Sequence, residues 1–178
     1  MPSNTPSRRP RFIQMEFAPS SGCLGSIVMI VTDFCRNVVD DQDTQFAFQL
    51  AAYELIENLV KYSMGDRVGV RIEVQSTPKG PEIVLQTENQ ACADRLKDVH
   101  ERLLAAEAAL DPIVHFDQLV QDSLASPGES RLGLGRLRAE GDLLLSHRVV
   151  DDTLHVEVRR PVHRTLRDGL NDLDVSDN

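Results

Sequence analysis

The chain has 178 residues, of which 41% are hydrophobic and 26% are charged, and these proportions are close to those of soluble globular domains. This length predicts one folded domain with tails and excludes a multidomain enzyme. The 28 acidic residues outnumber the 19 basic residues and give a formal net charge of -9, which argues against nucleic acid or an anionic membrane as the main partner.

The cysteines and the hydropathy pattern bear on the cellular compartment. Cys23, Cys35 and Cys92 form no Cys-x-x-Cys pair, and an odd number of cysteines suits a reducing compartment better than a disulfide framework. The longest apolar run, Leu24 to Val31, is far shorter than the roughly 18 residues that a membrane span needs. We therefore predict a cytoplasmic protein without a membrane or nucleic-acid partner. The histidines are scattered without ligand spacing, which predicts no histidine metal site.

The first elements follow from the hydrophobic period. Residues 1–10 contain three prolines and no apolar period, which predicts a flexible arm. The alternation from Ile13 to Phe17 predicts a short strand. Apolar residues at helical spacing from Leu24 to Cys35 predict one helix, and a second helix is expected from Asp43 or Thr44 to about Ser63.

The second half begins and ends with hairpins. Apolar and other residues alternate from Val68 to Val74, which predicts a strand. Together with a strand from Glu82 to about Thr87, it predicts a hairpin. Residues 91–126 have a 3.6-residue period that predicts two helices. A break at Ser126 to Gly128 precedes a short helix from Leu132 to Glu140. A second hairpin is expected to lie between residues 143 and 158.

The order of these elements predicts the fold class. Neighbouring hairpins with helices inserted in blocks indicate an α+β fold, a two-layer α/β sandwich with a mostly antiparallel mixed sheet and helices on one face. We assign residues 11–162 to this domain and residues 163–178 to a flexible acidic tail.

The second predicted helix carries an unusual polar stripe. Glu54, Asn58 and Lys61 are spaced by four and three residues, which places them on one side of an otherwise apolar helix. Buried charges need partners, so one interpretation is an ion network between Glu54 and Lys61 with Asn58 bonded to a loop. The alternative is a nucleotide site in which Asn58 binds Mg²⁺, Glu54 polarises a water or a hydroxyl and Lys61 pairs with phosphate.

The sequence around this stripe resembles a known motif. Residues 54–63, which read Glu-Leu-Ile-Glu-Asn-Leu-Val-Lys-Tyr-Ser, are similar to the N box of the GHKL ATPases, a group that includes gyrase, Hsp90, histidine kinases and anti-sigma-factor serine kinases. The resemblance implies a Bergerat-type fold, a Mg²⁺ ligand at Asn58 and a general base at Glu54. It implies ATP and Mg²⁺ as cofactors.

A glycine-rich segment resembles a second motif of the same group. Residues 130–135, Ser-Arg-Leu-Gly-Leu-Gly, are similar to the G2 box at the start of a helix, although Arg131 stands at its usual first glycine. The resemblance implies that the backbone of Leu132, Gly133, Leu134 and Gly135 binds phosphate, because glycines allow close approach and a helix start favours anions.

The third motif, the G1 box, is altered. The group carries Asp-x-Gly-x-Gly after a strand, where the aspartate binds the adenine amino group, and the corresponding residues here are Glu88, Asn89 and Gln90. Glu88 is one methylene longer than aspartate, Asn89 is a second candidate for the adenine contact, and Gln90 replaces a glycine. The helices of 91–126 occupy the position of the ATP lid, and their apolar stripes favour packed helices.

Two functions follow from the resemblance. The first is a bacterial partner-switching regulator that phosphorylates another signalling protein on serine, such as an anti-sigma-factor antagonist-like domain, or that binds a sigma factor. The second, favoured by the altered G1 box, is a non-catalytic pseudo-ATPase that acts as a protein-binding module. A homodimer is compatible with both.

Overall fold

The structure, a computed structural model, describes residues 11–125 and 132–162. The predicted arm 1–10, the break at Ser126 to Gly128, Arg131 and the tail 163–178 lie outside the described residues. The elements run in the order β1 (Phe12–Phe17), α1 (Ser21–Val38), α2 (Gln42–Tyr62), β2 (Val68–Thr77), β3 (Gly80–Gln90), α3 (Ala93–Ala108), α4 (Pro112–Ala125), α5 (Leu132–Ala139), β4 (Leu144–Val150) and β5 (Thr153–Pro161).

The described strands form one five-stranded sheet in the order β1-β2-β3-β5-β4. The two predicted hairpins, β2–β3 and β4–β5, are joined because β5 pairs with β3. The predicted α+β sandwich is confirmed. Every neighbouring pair of described strands is antiparallel, so this sheet is antiparallel throughout and not mixed.

The two faces of the sheet differ in polarity because side chains alternate along a strand. Ile72, Leu85 and Val158 are aligned across β2, β3 and β5 and are fully buried on the inner face. The next aligned row, Arg71, Gln86 and Glu157, lies on the outer face, where Gln86 Nε2 donates to Glu157 Oε2 at 2.7 Å. The outer face is therefore polar, and the core lies on the inner face.

Helices α1 and α2 pack side by side and contribute much of the core, with Val31 and Cys35 from α1 and Phe48, Leu55 and Ile56 from α2 fully buried or nearly so. Helix α2 begins slightly earlier than the sequence predicts, because Asp41 is its N-cap. The Asp41 carboxylate accepts from Thr44 N at 3.2 Å and from Thr44 Oγ1 at 2.5 Å. Such a bond satisfies one of the free amides at the start of a helix.

The remaining helices cover the other half of the sheet. Leu103 of α3 and Leu137 of α5 are fully buried, and α4 packs on the outside of α5. Gly135 makes this contact possible, because a Cβ atom there would lie 2.6 Å from Leu119 Cδ1 of α4. The three helices thus form a wall beside α2.

Candidate functional site

A cavity of about 60 Å³ lies between α2, α3, α5 and the inner face of β3 and β5. Six of the residues that the motifs single out line it: Glu54, Asn58, Lys61, Asn89, Gly133 and Leu134. These residues come from three segments that are far apart in sequence. The fold therefore brings the three segments that resemble the N, G1 and G2 boxes to one place, and these are called the N-box, G1 and G2 segments below.

Glu54 lies in the part of the cavity closest to α5. Its side chain is 13% exposed, and Oε1 is 3.5 Å from Nη1 of Arg136. The carboxylate also lies against Gly133, where a Cβ atom would overlap with Oε2. Arg136, rather than Lys61, is thus the cationic partner of Glu54, which corrects the ion network expected from the helical stripe.

Burial raises the pKa of the Glu54 carboxyl above its ordinary value, and the neighbouring Arg136 guanidinium only partly opposes this effect. A carboxylate whose pKa lies closer to neutrality is a better general base than an exposed one. The environment of Glu54 is therefore suited to accepting a proton.

Asn58 and Lys61 continue the stripe along α2. Lys61 Nζ lies 2.9 Å from Glu57 Oε1, and this hydrogen bond raises the pKa of Lys61. Both residues border the cavity, and Lys61 is on its solvent side. Asn58 lies one helical turn from Glu54, so its amide and the Glu54 carboxylate face the same volume.

The G1 segment presents one of its two candidate residues to the cavity. Asn89 is on the inner face of β3, only 7% exposed, and it lines the cavity. Glu88 is on the outer face, where it lies over Gly69 and its Oε2 is 3.6 Å from Nδ1 of His155. The expectation that Glu88 borders the cavity is corrected, because neighbouring residues of a strand point to opposite faces.

The G2 segment forms the first turn of α5. Gly133 and Leu134 line the cavity, whereas Leu132 does not border it and Gly135 packs against Leu119 and Phe116 of α4. The first turn of a helix has amides without intrahelical acceptors. This end of α5 therefore faces the cavity with positive partial charge, and the Glu54 carboxylate lies against it at Gly133.

Helix α3 forms one wall of the cavity. Leu96, Val99 and Leu103 line its apolar part. Arg138 of α5 holds the end of α3, because its guanidinium donates to the carbonyl oxygens of Ala106, of Glu107 at 3.1 Å and of Ala109 at 3.2 Å. An arginine that satisfies the last carbonyls of a helix stabilises that end.

Sequence reasoning missed three polar residues of this cavity, Thr87, Arg95 and Arg102. Thr87 follows Leu85 by two residues and precedes Asn89 by two, so the strand period could have found it. Arg95 and Arg102 stand seven residues apart on α3, and Arg95 lies 5.3 Å from the ring centroid of Tyr62. No motif pointed to these arginines.

Within residues 11–125 and 132–162, no helix is both long and apolar enough to cross a bilayer. The same ranges contain no group of three or more His, Cys, Asp or Glu side chains that could hold a metal ion. A second groove, of about 310 Å³, lies on the polar outer face of the sheet.

Comparison with known proteins gives a structural likeness alone. No protein-family model matches the chain, and no curated protein matches it in sequence. Among solved structures, it is similar to a chain in the crystal structure of the SiaB-SiaC complex from Pseudomonas aeruginosa, with a TM-score of 0.65 and 13% identity over 83% of this chain and 88% of that chain. At this identity the likeness shows a shared fold.

Proposed function

We propose that this chain is a signalling regulator that binds Mg-ATP in the cavity between α2 and α5 and phosphorylates a partner protein on serine. One observation carries the proposal: the acid and amide of one helix, Glu54 and Asn58, face the same cavity as Asn89 and the first turn of α5. The N-box resemblance of residues 54–63 supports the same assignment. Proposed partners are an anti-sigma-factor antagonist-like domain or a sigma factor.

The residues present fit a magnesium ion. Asn58 offers an amide oxygen at the border of the cavity, and oxygen ligands from one or two side chains together with substrate phosphates are typical of Mg²⁺ sites. When bound, Mg²⁺ would neutralise charge on the phosphates. In this proposal Asn58 holds the metal and Lys61 neutralises phosphate charge on the solvent side.

The remaining roles belong to the chain's own groups. The backbone amides of Gly133 and Leu134, the residues of the first turn of α5 that border the cavity, bind the phosphates, and Asn89 contacts the adenine. Glu54 accepts the proton of the partner's serine hydroxyl. The hydroxyl oxygen then bonds to the γ-phosphorus as the bond from that phosphorus to the ADP oxygen breaks. For this step Arg136 has to release the Glu54 carboxylate.

A protein partner is supported by the structural neighbour, which was solved in a complex of two proteins. Exposed apolar residues of the α3–α4 region, Leu104, Leu110, Ile113, Val114 and Leu124, are candidates for contact with such a partner. Partner binding next to α3 would also reach the wall of the cavity.

A second function is favoured by a specific observation. The cavity measures about 60 Å³, whereas ligand pockets are typically about 300–1,000 Å³, and Glu54 occupies the α5 terminus as a built-in anion. If the cavity does not widen and Glu54 does not leave the start of α5, the chain is a non-catalytic module that binds a partner and no nucleotide.

Thermal melting in the presence of Mg-ATP separates the two functions. A ligand that binds only the folded state stabilises it by about 2.7 kcal/mol at a concentration 100 times Kd. We expect millimolar Mg-ATP to raise the melting midpoint, and Mg²⁺ alone or ATP with EDTA to raise it less. An unchanged midpoint would reject the kinase and leave the binding module.

Two variants of α2 make the test specific. Asn58→Ala should reduce the Mg²⁺-dependent part of the shift. Gln49→Ala, a change at an exposed position of the same helix, should leave it intact. Equal Mg²⁺-dependent shifts of the melting midpoint in the two variants would show that Asn58 does not bind the metal.

A further inference from the structure

Three side chains at the junction of α3 and β4 form a chain of contacts that the proposed phosphotransfer does not use. His100 and Glu107 lie on α3 and His147 lies on β4. His100 Nδ1 is 2.6 Å from His147 Nε2, and the two rings meet edge to face with centroids 4.8 Å apart. Glu107 Oε1 is 2.5 Å from the other ring nitrogen of His147, Nδ1.

Glu107 fixes the proton of His147. A carboxylate only accepts hydrogen bonds, so His147 Nδ1 carries the hydrogen of this contact. In the neutral ring the second nitrogen, Nε2, then holds a free lone pair, and it points at His100 Nδ1. The side chain of His147 is only 3% exposed, which holds this lone pair in place.

The tautomer of His100 decides what lies between the rings. With hydrogen on Nδ1, His100 donates to His147 Nε2. With hydrogen on Nε2, the lone pairs of both imidazoles are directed into the space between the rings, and two such nitrogens can bind one transition metal when the lone pairs converge on it. A metal-bound histidine that donates its other N–H to a carboxylate is the usual outer-shell arrangement in such sites, and Glu107 is placed for it.

We propose that His100 Nδ1 and His147 Nε2 are the protein ligands of a divalent transition-metal site of the Zn²⁺ class, with Glu107 as its positioning residue. Two nitrogens, each about 2.0–2.1 Å from Zn²⁺, are about 3.3 Å apart in a tetrahedral site, so the rings need to separate by less than about 1 Å. His100 is exposed on α3 and can make this movement.

The remaining coordination positions belong to water, because the described residues supply no third ligand among His, Cys, Asp and Glu side chains. The site is chemically separate from the proposed magnesium site. Mg²⁺ prefers oxygen ligands and dehydrates reluctantly, whereas imidazole suits Zn²⁺, Cu²⁺ and Ni²⁺.

The site would tie the wall of the cavity to the edge of the sheet. Helix α3 lines the cavity through Leu96 and Leu103, and β4 is an edge strand. A metal bound by both His100 and His147 would link α3 to β4 through two residues that are 47 positions apart in sequence. Zn²⁺ would therefore stabilise the folded chain by mass action.

The test is calorimetric titration of the full chain, without an affinity tag and freed of metal by EDTA, with Zn²⁺ at neutral pH. We expect one Zn²⁺ per chain and a raised melting midpoint, and no such effect from Mg²⁺. His100→Ala should abolish this binding. His155→Ala, which removes a histidine beside a carboxylate on the opposite face of the sheet, should retain it.

Glu107→Gln distinguishes a positioning residue from a bystander, because loss of an outer-shell carboxylate should lower Zn²⁺ affinity by about 10–100-fold while His100 and His147 are intact. Because His147 is buried, its replacement can unfold the chain. The variant that tests the metal site is therefore the one at the exposed His100. Zn²⁺ that leaves the wild-type midpoint unmoved, or that binds His100→Ala as tightly as wild type, would overturn the proposal.

Discussion

The Glu54 carboxylate of α2 rests directly on Gly133 in the first turn of α5, so close that a Cβ atom at position 133 would have to displace it. Arg136 is one turn further along α5 and contacts the same carboxylate. Helix α5 therefore leaves space for the Glu54 carboxylate at Gly133 and pairs its charge with Arg136. The glycine that the G2 resemblance assigns to phosphate binding therefore also has a structural partner within the chain.

This contact predicts coupling between Glu54 and Gly133. Alanine is favoured over glycine inside a helix by roughly 0.5–1 kcal/mol, so Gly133→Ala should stabilise a chain that already carries Glu54→Ala. In the wild-type background the added Cβ displaces the carboxylate from Arg136 and should cancel or reverse this gain. Urea unfolding of the four chains measures the difference. Equal effects of Gly133→Ala in both backgrounds would contradict the contact.

The raised pKa of Glu54 predicts the pH dependence of stability. A carboxyl that is harder to ionise in the folded chain destabilises the fold at neutral pH, and this penalty disappears as the pH falls through the folded pKa towards the ordinary value. Wild type should therefore gain stability relative to Glu54→Gln on acidification. Unfolding curves of both proteins from neutral pH to about pH 4 test the direction, and a constant difference would show that Glu54 is not perturbed.

The N-cap of α2 should behave in the opposite way. The hydrogen bond from the Thr44 hydroxyl lowers the pKa of Asp41, so the stabilisation is present above the ordinary carboxyl pKa and is lost as the pH falls through the lowered value. Asp41→Ala should cost about 0.5–2 kcal/mol at neutral pH, whereas Asp41→Asn keeps an acceptor and should cost less. Asp43→Ala, in the same turn, is the control that should have a smaller effect in chemical unfolding.

The contacts of Arg138 with the end of α3 predict that this arginine stabilises that part of the cavity wall locally. Its removal leaves the carbonyls of Glu107 and Ala109 without this donor, and a lost bond to a charged group costs about 1.5–3 kcal/mol. Hydrogen exchange in Arg138→Ala should therefore be faster in the last turns of α3 than in α2. Arg138→Lys should restore part of the protection, since an ammonium group reaches fewer carbonyls. Uniform acceleration along the whole chain would mean that the arginine supports global stability and not the end of α3.

The kinase proposal makes a paired prediction. Glu54→Gln should retain Mg-ATP binding and lose phosphotransfer, because the amide cannot accept the serine proton. Asn58→Ala should instead weaken the binding that depends on Mg²⁺. Calorimetry together with a radiolabelled transfer assay on the partner resolves the two effects. Loss of binding in Glu54→Gln would assign this acid to the nucleotide and not to the chemistry.

The strands were predictable from sequence because their signal is local. Alternation in Val68 to Val74 reports a half-buried strand without knowledge of its neighbours, and the joining of both hairpins follows from the need to bury their apolar faces. The end of β3 was harder. Glu88 and Asn89 differ by one position, and the strand period decides which of them faces the helices only once the register beyond Thr87 is known.

The contacts between distant segments could not be predicted. Arg136 reaches Glu54 across 82 residues, and no residue spacing encodes that distance. His100 and His147 have no ligand spacing in the sequence and meet only because α3 lies over β4. Both pairs depend on how α3 and α5 pack against the sheet, which is a property of tertiary packing and not of local periodicity.

The sheet order has a consequence for how the chain acquires its fold. Strand β5 is the last described element in sequence, yet it lies inside the sheet between β3 and β4. Until residues 153–161 have left the ribosome, β3 therefore has one unpaired edge. During this time Leu85 also lacks its neighbour across that edge, Val158. Pairing between β3 and β5 joins segments separated by about 70 residues and is slow by its topology, and an unpaired interior strand promotes aggregation. The sheet thus closes late, and the nascent chain depends on β5, the last described strand, for protection.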